Sequence, residues 1–302
     1  AVHGRELAVA AGAQGLGLVR TEFMYMNRDD LPGEEDQYAA YAALVRGMDD
    51  KPVTFRTLDI GGDKLAGNIA PESPNPALGL RAVRLVLKER RLLDVQLAAM
   101  LRASTLGKVR ILVPMIANPG ELRTVRAALH QAARRLRRRG IALPDPLPPL
   151  GAMIEIPGAA LAADALAVEA DFFSIGTNDL TQYTLAMDRG HPELAARLDA
   201  LHPAVLRLIA RTAEAAPARR RMVAVCGGLA SDPAAAPILI GLGVRELSAV
   251  PSVIPRLKAL IRKLTMAECA GIAREALEQR SAEAVRALGV RLAARESEPE
   301  SV

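Results

Sequence analysis

The densest chemistry in the chain lies in one stretch, Ser174-Ile175-Gly176-Thr177-Asn178-Asp179-Leu180-Thr181-Gln182-Tyr183. An apolar run from Asp171 to Ile175 leads into it and is stopped by Gly176, which suits a strand covered on both faces. The amide of Asn178 and the carboxylate of Asp179 arrive together where that strand would end. Groups at the carboxyl end of a buried parallel strand are placed to hold a ligand, because the loops there face the open end of the sheet. Taken alone, Asn178-Asp179 reads equally well as a turn and helix cap before Leu180-Thr181-Gln182.

Other apolar runs end in the same way. Arg20 and Glu22, Arg56 and Asp59, Glu155, and Cys226 each stand near the carboxyl end of a strand-like segment. Glu155 and Asp179 are hard oxygen ligands that could hold Mg²⁺, with waters and substrate oxygens completing the shell. Arg20, Arg56 and Arg189 are permanent cations able to fork onto phosphate or carboxylate oxygens, and Asn178 can donate to the same oxygens. A metal with arginines is a recurring kit for stabilising a phosphoryl group during transfer. Cys226 opens a Gly-rich turn. An unperturbed thiol titrates at about 8.5, so near neutrality it is mostly a proton carrier. Each residue has a plainer use, since an arginine can simply pair with an acid and a lone cysteine can simply fill space. Their recurrence at strand after strand favours a site.

Positioning such residues requires a repeated strand-and-helix frame, and the chain supplies one. Strands are expected at Gly17–Phe23, Pro52–Ile60, Val109–Ile116, Leu150–Pro157, Asp171–Ile175, Met222–Gly228 and Glu246–Val250. Helices are expected at Gly4–Ala13, Glu34–Met48, Leu78–Ala103 (with Arg81 and Arg84), Glu121–Arg139, Gly158–Ala170, Pro203–Ala216, Pro233–Leu242, Ile254–Leu264 and Met266–Ala287. A Pro- and Asn-bearing loop, Gly67–Pro76, has the length of a functional loop. The arginines from Arg134 to Arg139 read as a solvated face at a helix carboxyl end. Alternating short strands and helices imply a parallel sheet, and the length favours an α/β fold of the closed (β/α)8 TIM type. Because the chain opens on a helix, the expectation is a barrel lacking its first strand. It is read as one barrel domain over residues 1–290 with a frayed polar tail at 291–302.

Composition narrows the partners. Half of the 302 residues are apolar, aromatics make up 3 %, and the formal net charge is +5. A basic balance favours an anionic ligand, but so few stacking platforms argue against single-stranded nucleic acid, and a phosphorylated small molecule fits better. Two cysteines, Cys226 and Cys269, make no disulfide framework and point to a reducing compartment. No apolar run approaches the length of a membrane span, and the expectation is a cytoplasmic protein without a membrane or nucleic-acid partner.

The stretches Arg20-Thr21-Glu22-Phe23, Arg56-Thr57-Leu58-Asp59-Ile60-Gly61-Gly62-Asp63-Lys64, Ser174–Tyr183 and Asp188-Arg189-Gly190 together resemble enzyme I of the bacterial phosphotransferase system, in its phosphoenolpyruvate-binding domain. The likeness covers residues from about 15 to about 290. It implies that Arg20, Arg56, Arg81, Asn178 and Arg189 hold phosphoenolpyruvate, that Glu155 and Asp179 bind Mg²⁺, and that Cys226 protonates the enolate carbon to give pyruvate. It further implies transfer to a histidine on a separate N-terminal domain, then to the histidine carrier protein, in sugar uptake or its regulation, by a homodimer. His3, His130, His191 and His202 do not sit in the Gly-rich Ser-His setting of that acceptor; His130 reads as a helix surface residue and His202 as a helix-start residue. Gly228 stands where the resembling family has Cys-Gly-Glu, and Ile156-Pro157-Gly158 where it has Thr-Pro-Ala. Two other readings are a fragment of a pyruvate phosphate dikinase or phosphoenolpyruvate synthase, which share Thr-Asn-Asp-Leu-Thr-Gln, and a barrel kept for regulation with impaired catalysis.

Overall fold

The computed structural model describes residues 2–26, 28–61, 65 and 73–294. It falls into two compact units. The first contains the residues up to Val9, Gln14–Met153 and Glu169–Asp171; the second contains Ala10–Ala13, Ile154–Val168 and the chain from Phe172 onward.

In the first unit, β1 (Leu16–Arg20), β2 (Val53–Arg56), β3 (Val109–Val113) and β4 (Leu150–Ile154) follow one another in chain order, with parallel pairing throughout. The register sets Arg20 beside Arg56, so two cations meet at neighbouring strand ends. On β2, Phe55 packs its ring 4.7 Å from that of Tyr41, which lies on the helix Glu34–Arg46. Leu44, Leu93, Leu97 and Met100 are fully buried in the same unit. The helix Pro119–Arg138 begins with a reciprocal cap: Asn118 accepts from the Glu121 N–H, and the Glu121 carboxylate accepts from the Asn118 N–H. At its basic end Arg134, Arg137, Arg138 and Arg139 are exposed, as a solvated face requires, and Arg135 is half-buried; Arg139 also grips both carboxylate oxygens of Glu34 at 2.9 Å.

In the second unit, β5 (Phe172–Gly176), β6 (Met222–Cys226) and β7 (Glu246–Ser248) are also parallel and in chain order. Gly176 stands opposite Cys226 at the strand ends. The helices Ala236–Gly241, Met266–Glu278 and Ala282–Ala294 complete this unit. A Cβ on Gly241 would collide with the Cys269 carbonyl in the helix Met266–Glu278, and one on Gly289 with the carbonyl of Ala234, in the turn that leads into Ala236–Gly241.

All seven expected strands are present; six are shorter than their sequence signal, because their last residues have left the ladder to form the loops, and β5 keeps its five residues shifted one position on, to Phe172–Gly176. Three expected helices are broken in two. Leu78–Ala103 becomes Ala82–Lys88 and Arg90–Ala103, separated at Glu89, whose ψ of 69° is not helical. Gly158–Ala170 becomes Pro157–Leu161 and Ala163–Glu169. Met266–Ala287 becomes two helices because Gln279 turns to extended backbone and Ser281 Oγ then accepts from the Ala284 N–H to start the next. That last helix runs to Ala294, past the point where the tail was expected to begin; residues 295–302 lie outside the described residues. Gly62-Asp63-Lys64 and the Gly67–Pro76 loop up to residue 72 lie outside them too. Among the described residues no helix is long and apolar enough to cross a membrane.

Candidate functional site

At the carboxyl ends of β1 and β2 the first unit builds an alternating array of charge. Glu22 follows β1 in a short turn of 3₁₀ helix. Its carboxylate accepts from Arg56 Nη2 at 3.1 Å and from the Asp59 N–H at 2.9 Å. Arg56 Nη1 reaches Asp59 Oδ2 at 3.1 Å, and Arg81 donates through Nε and Nη2 to Asp59 Oδ1 at 3.0 and 2.7 Å. The side chains of Arg56, Asp59 and Arg81 are 10 %, 3 % and 15 % exposed. Burying an ion pair costs desolvation that only good geometry and further hydrogen bonds repay, and Asp59 is met from both sides. Arg20, the last residue of β1, is exposed and has no ion-pair partner among the described residues. Among the described residues, Arg20, Arg56 and Arg81 stand with Glu22 and Asp59 in this part of the unit, three guanidinium groups to two carboxylates.

A layer of uncharged polar groups, which the sequence reading did not single out, supports this array. Thr21 donates to the Arg56 carbonyl at 2.9 Å, and Gln96 donates to Thr21 Oγ1 and to the Tyr41 hydroxyl at 3.0 and 3.2 Å. The Gln96 side-chain oxygen accepts from the Leu58 N–H at 2.8 Å. The available signal was an amide in the otherwise apolar stripe Leu93, Gln96, Leu97, Met100.

The second unit carries the other candidates. Glu155 directly follows β4 and is 1 % exposed. Asp179 lies in the first turn of the helix Thr177–Leu185, is 6 % exposed, and meets Arg189 Nη1 at 3.4 Å. A carboxylate there is favoured by the partial positive charge of the helix N-terminus. Asn178 and Asp179 are thus helical rather than in a preceding turn. Asn178 Oδ1 accepts from the Gly228 N–H at 3.0 Å, which orients the amide and turns both its N–H groups away from that loop. Arg189 is held through its backbone, whose N–H donates to Gln182 Oε1 at 3.0 Å, while its side chain is 44 % exposed.

Cys226 ends β6 and is 2 % exposed. Its Sγ lies 3.5 Å from Ser174 Oγ and 3.5 Å from the Ile175 carbonyl, one as acceptor and one as donor. Thr177 Oγ1 donates to the Cys226 carbonyl at 2.9 Å, tying the β5 and β6 loops together. Gly227 follows with φ of +90°, and a Cβ there would stand 2.6 Å from Thr177 Oγ1 and 3.0 Å from Asn178 Oδ1. Gly227→Ala is therefore expected to destabilise the second unit by about 1–3 kcal/mol and to displace Asn178; urea unfolding beside wild type measures the first effect.

The structure thus gathers Arg56 and Arg81, with Arg20 adjoining, in one unit, and Asn178, Asp179, Arg189 and Cys226 in the linked loops of the other, where Glu155 also lies. Among the described residues no group of three or more His, Cys, Asp or Glu side chains is arranged to hold a metal. His130 is exposed on its helix, and His202 caps the helix Pro203–Ala215, its Nδ1 accepting from the Ala204 N–H at 3.1 Å, so both keep the roles read from sequence.

Seven parallel strands with intervening helices, and polar residues at their carboxyl ends, define an α/β fold of the TIM-barrel type. Solved structures agree at the level of fold. A citrate lyase from Burkholderia xenovorans LB400 has a TM-score of 0.52 at 18 % identity over 97 % of this chain and 87 % of its own. An HpcH/HpaI aldolase/citrate lyase family protein from Burkholderia cenocepacia J2315 has a TM-score of 0.52 at 17 % identity, over 87 % and 88 %. More specifically, residues 2–266 match the PEP-utilising enzyme, PEP-binding domain family, and the chain belongs to it. A multiphosphoryl transfer protein of Xanthomonas campestris pv. campestris is 48 % identical over 93 % of this chain and 33 % of its own length. A phosphoenolpyruvate-protein phosphotransferase of Geobacillus stearothermophilus is 45 % identical over 92 % and 48 %, and one of Listeria monocytogenes 44 % identical over 93 % and 49 %. The chain spans between a third and a half of the length of these relatives. The resemblance read from the motifs stands.

Proposed function

We propose that this chain is the phosphoenolpyruvate-binding and phosphoryl-donating part of a phosphoenolpyruvate-protein phosphotransferase. The observation that carries the reading is membership of the PEP-binding domain family over residues 2–266. Arg20, Arg56, Arg81 and Arg189, with the Asn178 amide, bind the phosphate and carboxylate of the substrate. The excess of guanidinium over carboxylate at the ends of β1 and β2 and the orientation of Asn178 support that role.

Glu155 and Asp179 are assigned to Mg²⁺. The donor set fits, since both are hard oxygen ligands held almost free of solvent. Since no three acidic, thiol or imidazole side chains gather to hold a metal among the described residues, the other positions would fall to water and substrate oxygens, as this ion accepts. When bound, the ion supplies electrostatic stabilisation of phosphoryl oxygens. Arg189, which pairs with Asp179 here, would then be available to substrate oxygens. The reaction breaks the bond between phosphorus and the enol oxygen, passes the phosphoryl group to a histidine on a separate N-terminal domain and then to the histidine carrier protein, and leaves the enolate of pyruvate. Cys226 gives its Sγ proton to the enolate carbon. The proposed assembly is a cytoplasmic homodimer serving sugar uptake or its regulation.

Calorimetry with phosphoenolpyruvate and Mg²⁺ tests the reading. Wild type should bind with a heat that requires the cation, and Asp179→Asn should bind about 10–100-fold more weakly, with most of the cation dependence gone. Equal titration curves for the two proteins would remove Asp179 from the site, and a wild-type chain that gives no heat would remove the function.

A further inference from the structure

We propose that Gln96 is a positioning residue for anion binding, acting as a surrogate strand neighbour that sets the backbone carrying Arg56 and Asp59. The inference rests on the phosphoenolpyruvate reading above and deepens it. The backbone ladder of β2 ends at Arg56, with the Thr57 N–H still donating to the Leu112 carbonyl at 2.9 Å. The next donor, the Leu58 N–H, has left the sheet, and Leu58 is buried. An unpaired buried amide there would carry its full desolvation cost. The Gln96 side-chain oxygen takes it at 2.8 Å, from the helix Arg90–Ala103.

The rest of the amide fixes the opposite side of the same segment. One N–H of Gln96 goes to Thr21 Oγ1, whose own proton goes to the Arg56 carbonyl. The other goes to the Tyr41 hydroxyl, which donates to Gln37 Oε1 at 2.9 Å, and Gln37 Nε2 donates to the Pro32 carbonyl at 3.1 Å. Every bond has one sense, since Leu58 N–H can only donate and the Arg56 and Pro32 carbonyls can only accept. Burial pushes the Tyr41 hydroxyl well above its usual range, so it stays a donor. Thr21, Gln37, Tyr41 and Gln96 are each 1 % exposed or less. Buried networks that are fully satisfied hold one arrangement, whereas losing one member strands the others.

The backbone groups secured in this way flank the charged array. The Arg56 carbonyl belongs to the residue whose guanidinium bridges Glu22 and Asp59, and the Leu58 N–H immediately precedes Asp59. Thr21 adjoins both Arg20 and Glu22. Gln96 itself touches none of the charged groups, so its effect passes through the backbone to the direction in which the arginines point.

The test compares Gln96→Met, which keeps length and loses every hydrogen bond, with Thr21→Val, its isosteric counterpart, Thr21→Ser, which restores the hydroxyl, and the double variant Thr21→Val/Gln96→Met. Phosphoenolpyruvate affinity with Mg²⁺ is read by calorimetry, folding by thermal unfolding, and the Leu58 N–H by hydrogen exchange. The expected result is that each single apolar variant binds at least about fivefold more weakly and Thr21→Ser binds as wild type. The double variant should be no weaker than the more damaging single variant, as members of one network require, and Leu58 exchange should accelerate. Should Gln96→Met fail to fold, the Thr21 pair carries the comparison. Faster exchange with unchanged affinity would make the network merely structural and overturn the proposal, as would additive losses in the double variant. A wild-type chain that does not bind overturns the phosphoenolpyruvate reading and this inference with it, whereas wild-type binding with indifferent variants overturns this inference alone.

Discussion

Arg56→Met should lose both stability and affinity for anions, and it is expected to be among the most damaging single changes in the first unit. Removing one partner of a buried pair leaves the other charge uncompensated, at about 3–5 kcal/mol. Here two carboxylates are left, since Glu22 and Asp59 both lean on the same guanidinium and are only 15 % and 3 % exposed in their side chains. Arg81 still holds Asp59 at 2.7 Å, which places the cost near the lower end. Urea unfolding would read this loss, and calorimetry should find phosphoenolpyruvate bound at least about tenfold more weakly. Arg56→Lys separates charge from shape. It keeps the cation but cannot fork between Glu22 and Asp59, so it should recover part of the stability and little of the affinity. An Arg56→Met chain with wild-type affinity would remove Arg56 from the binding role.

Cys226→Ala should show the reverse pattern, with binding kept and chemistry lost. The thiol is buried at the end of β6, bonded to Ser174 and the Ile175 carbonyl. Its removal should leave phosphoenolpyruvate affinity within about twofold while lowering proton transfer at carbon by about 10²–10⁴-fold. The reverse step is convenient to follow. In heavy water with Mg²⁺, wild type should exchange the methyl protons of pyruvate, and proton NMR should find this exchange lost in Cys226→Ala. Undiminished exchange would mean that another group is the acid. Gly228, which supplies only a backbone N–H to Asn178, would then have to be weighed with its loop.

The strands were legible because each is a compact apolar run stopped by glycine, proline or a charge, and the strand ends then marked the candidate residues. Glu155, Asp179, Asn178 and Cys226 could be picked out individually for the same reason, and Arg189 from the Asp188-Arg189-Gly190 motif. The helix breaks at Glu89 and Gln279 were hidden, since neither residue is a glycine or proline and the apolar spacing continues across each. Pairing was hidden too. Nothing local relates Arg56 to Glu22, 34 positions away, or Arg81 to Asp59, 22 away. The sequence reading therefore assigned these arginines to a ligand without seeing that protein carboxylates already occupy part of each fork. Gln96 carries no local signal of its role, because its partners come from three other segments.

The close backbone approach at Gly241 and Gly289 has a bearing on how such a protein could be made hardier. Alanine outranks glycine in a helix interior by about 0.8–1 kcal/mol, so a stabilisation campaign would rank every helical glycine as an easy gain. Gly271, in the helix Met266–Glu278, obeys that arithmetic, because a methyl group there enters open space. At Gly241 and Gly289 the same methyl group would act as a wedge driven against a neighbouring carbonyl. The propensity ledger reverses sign within one unit, and only the approach of a neighbouring backbone says where.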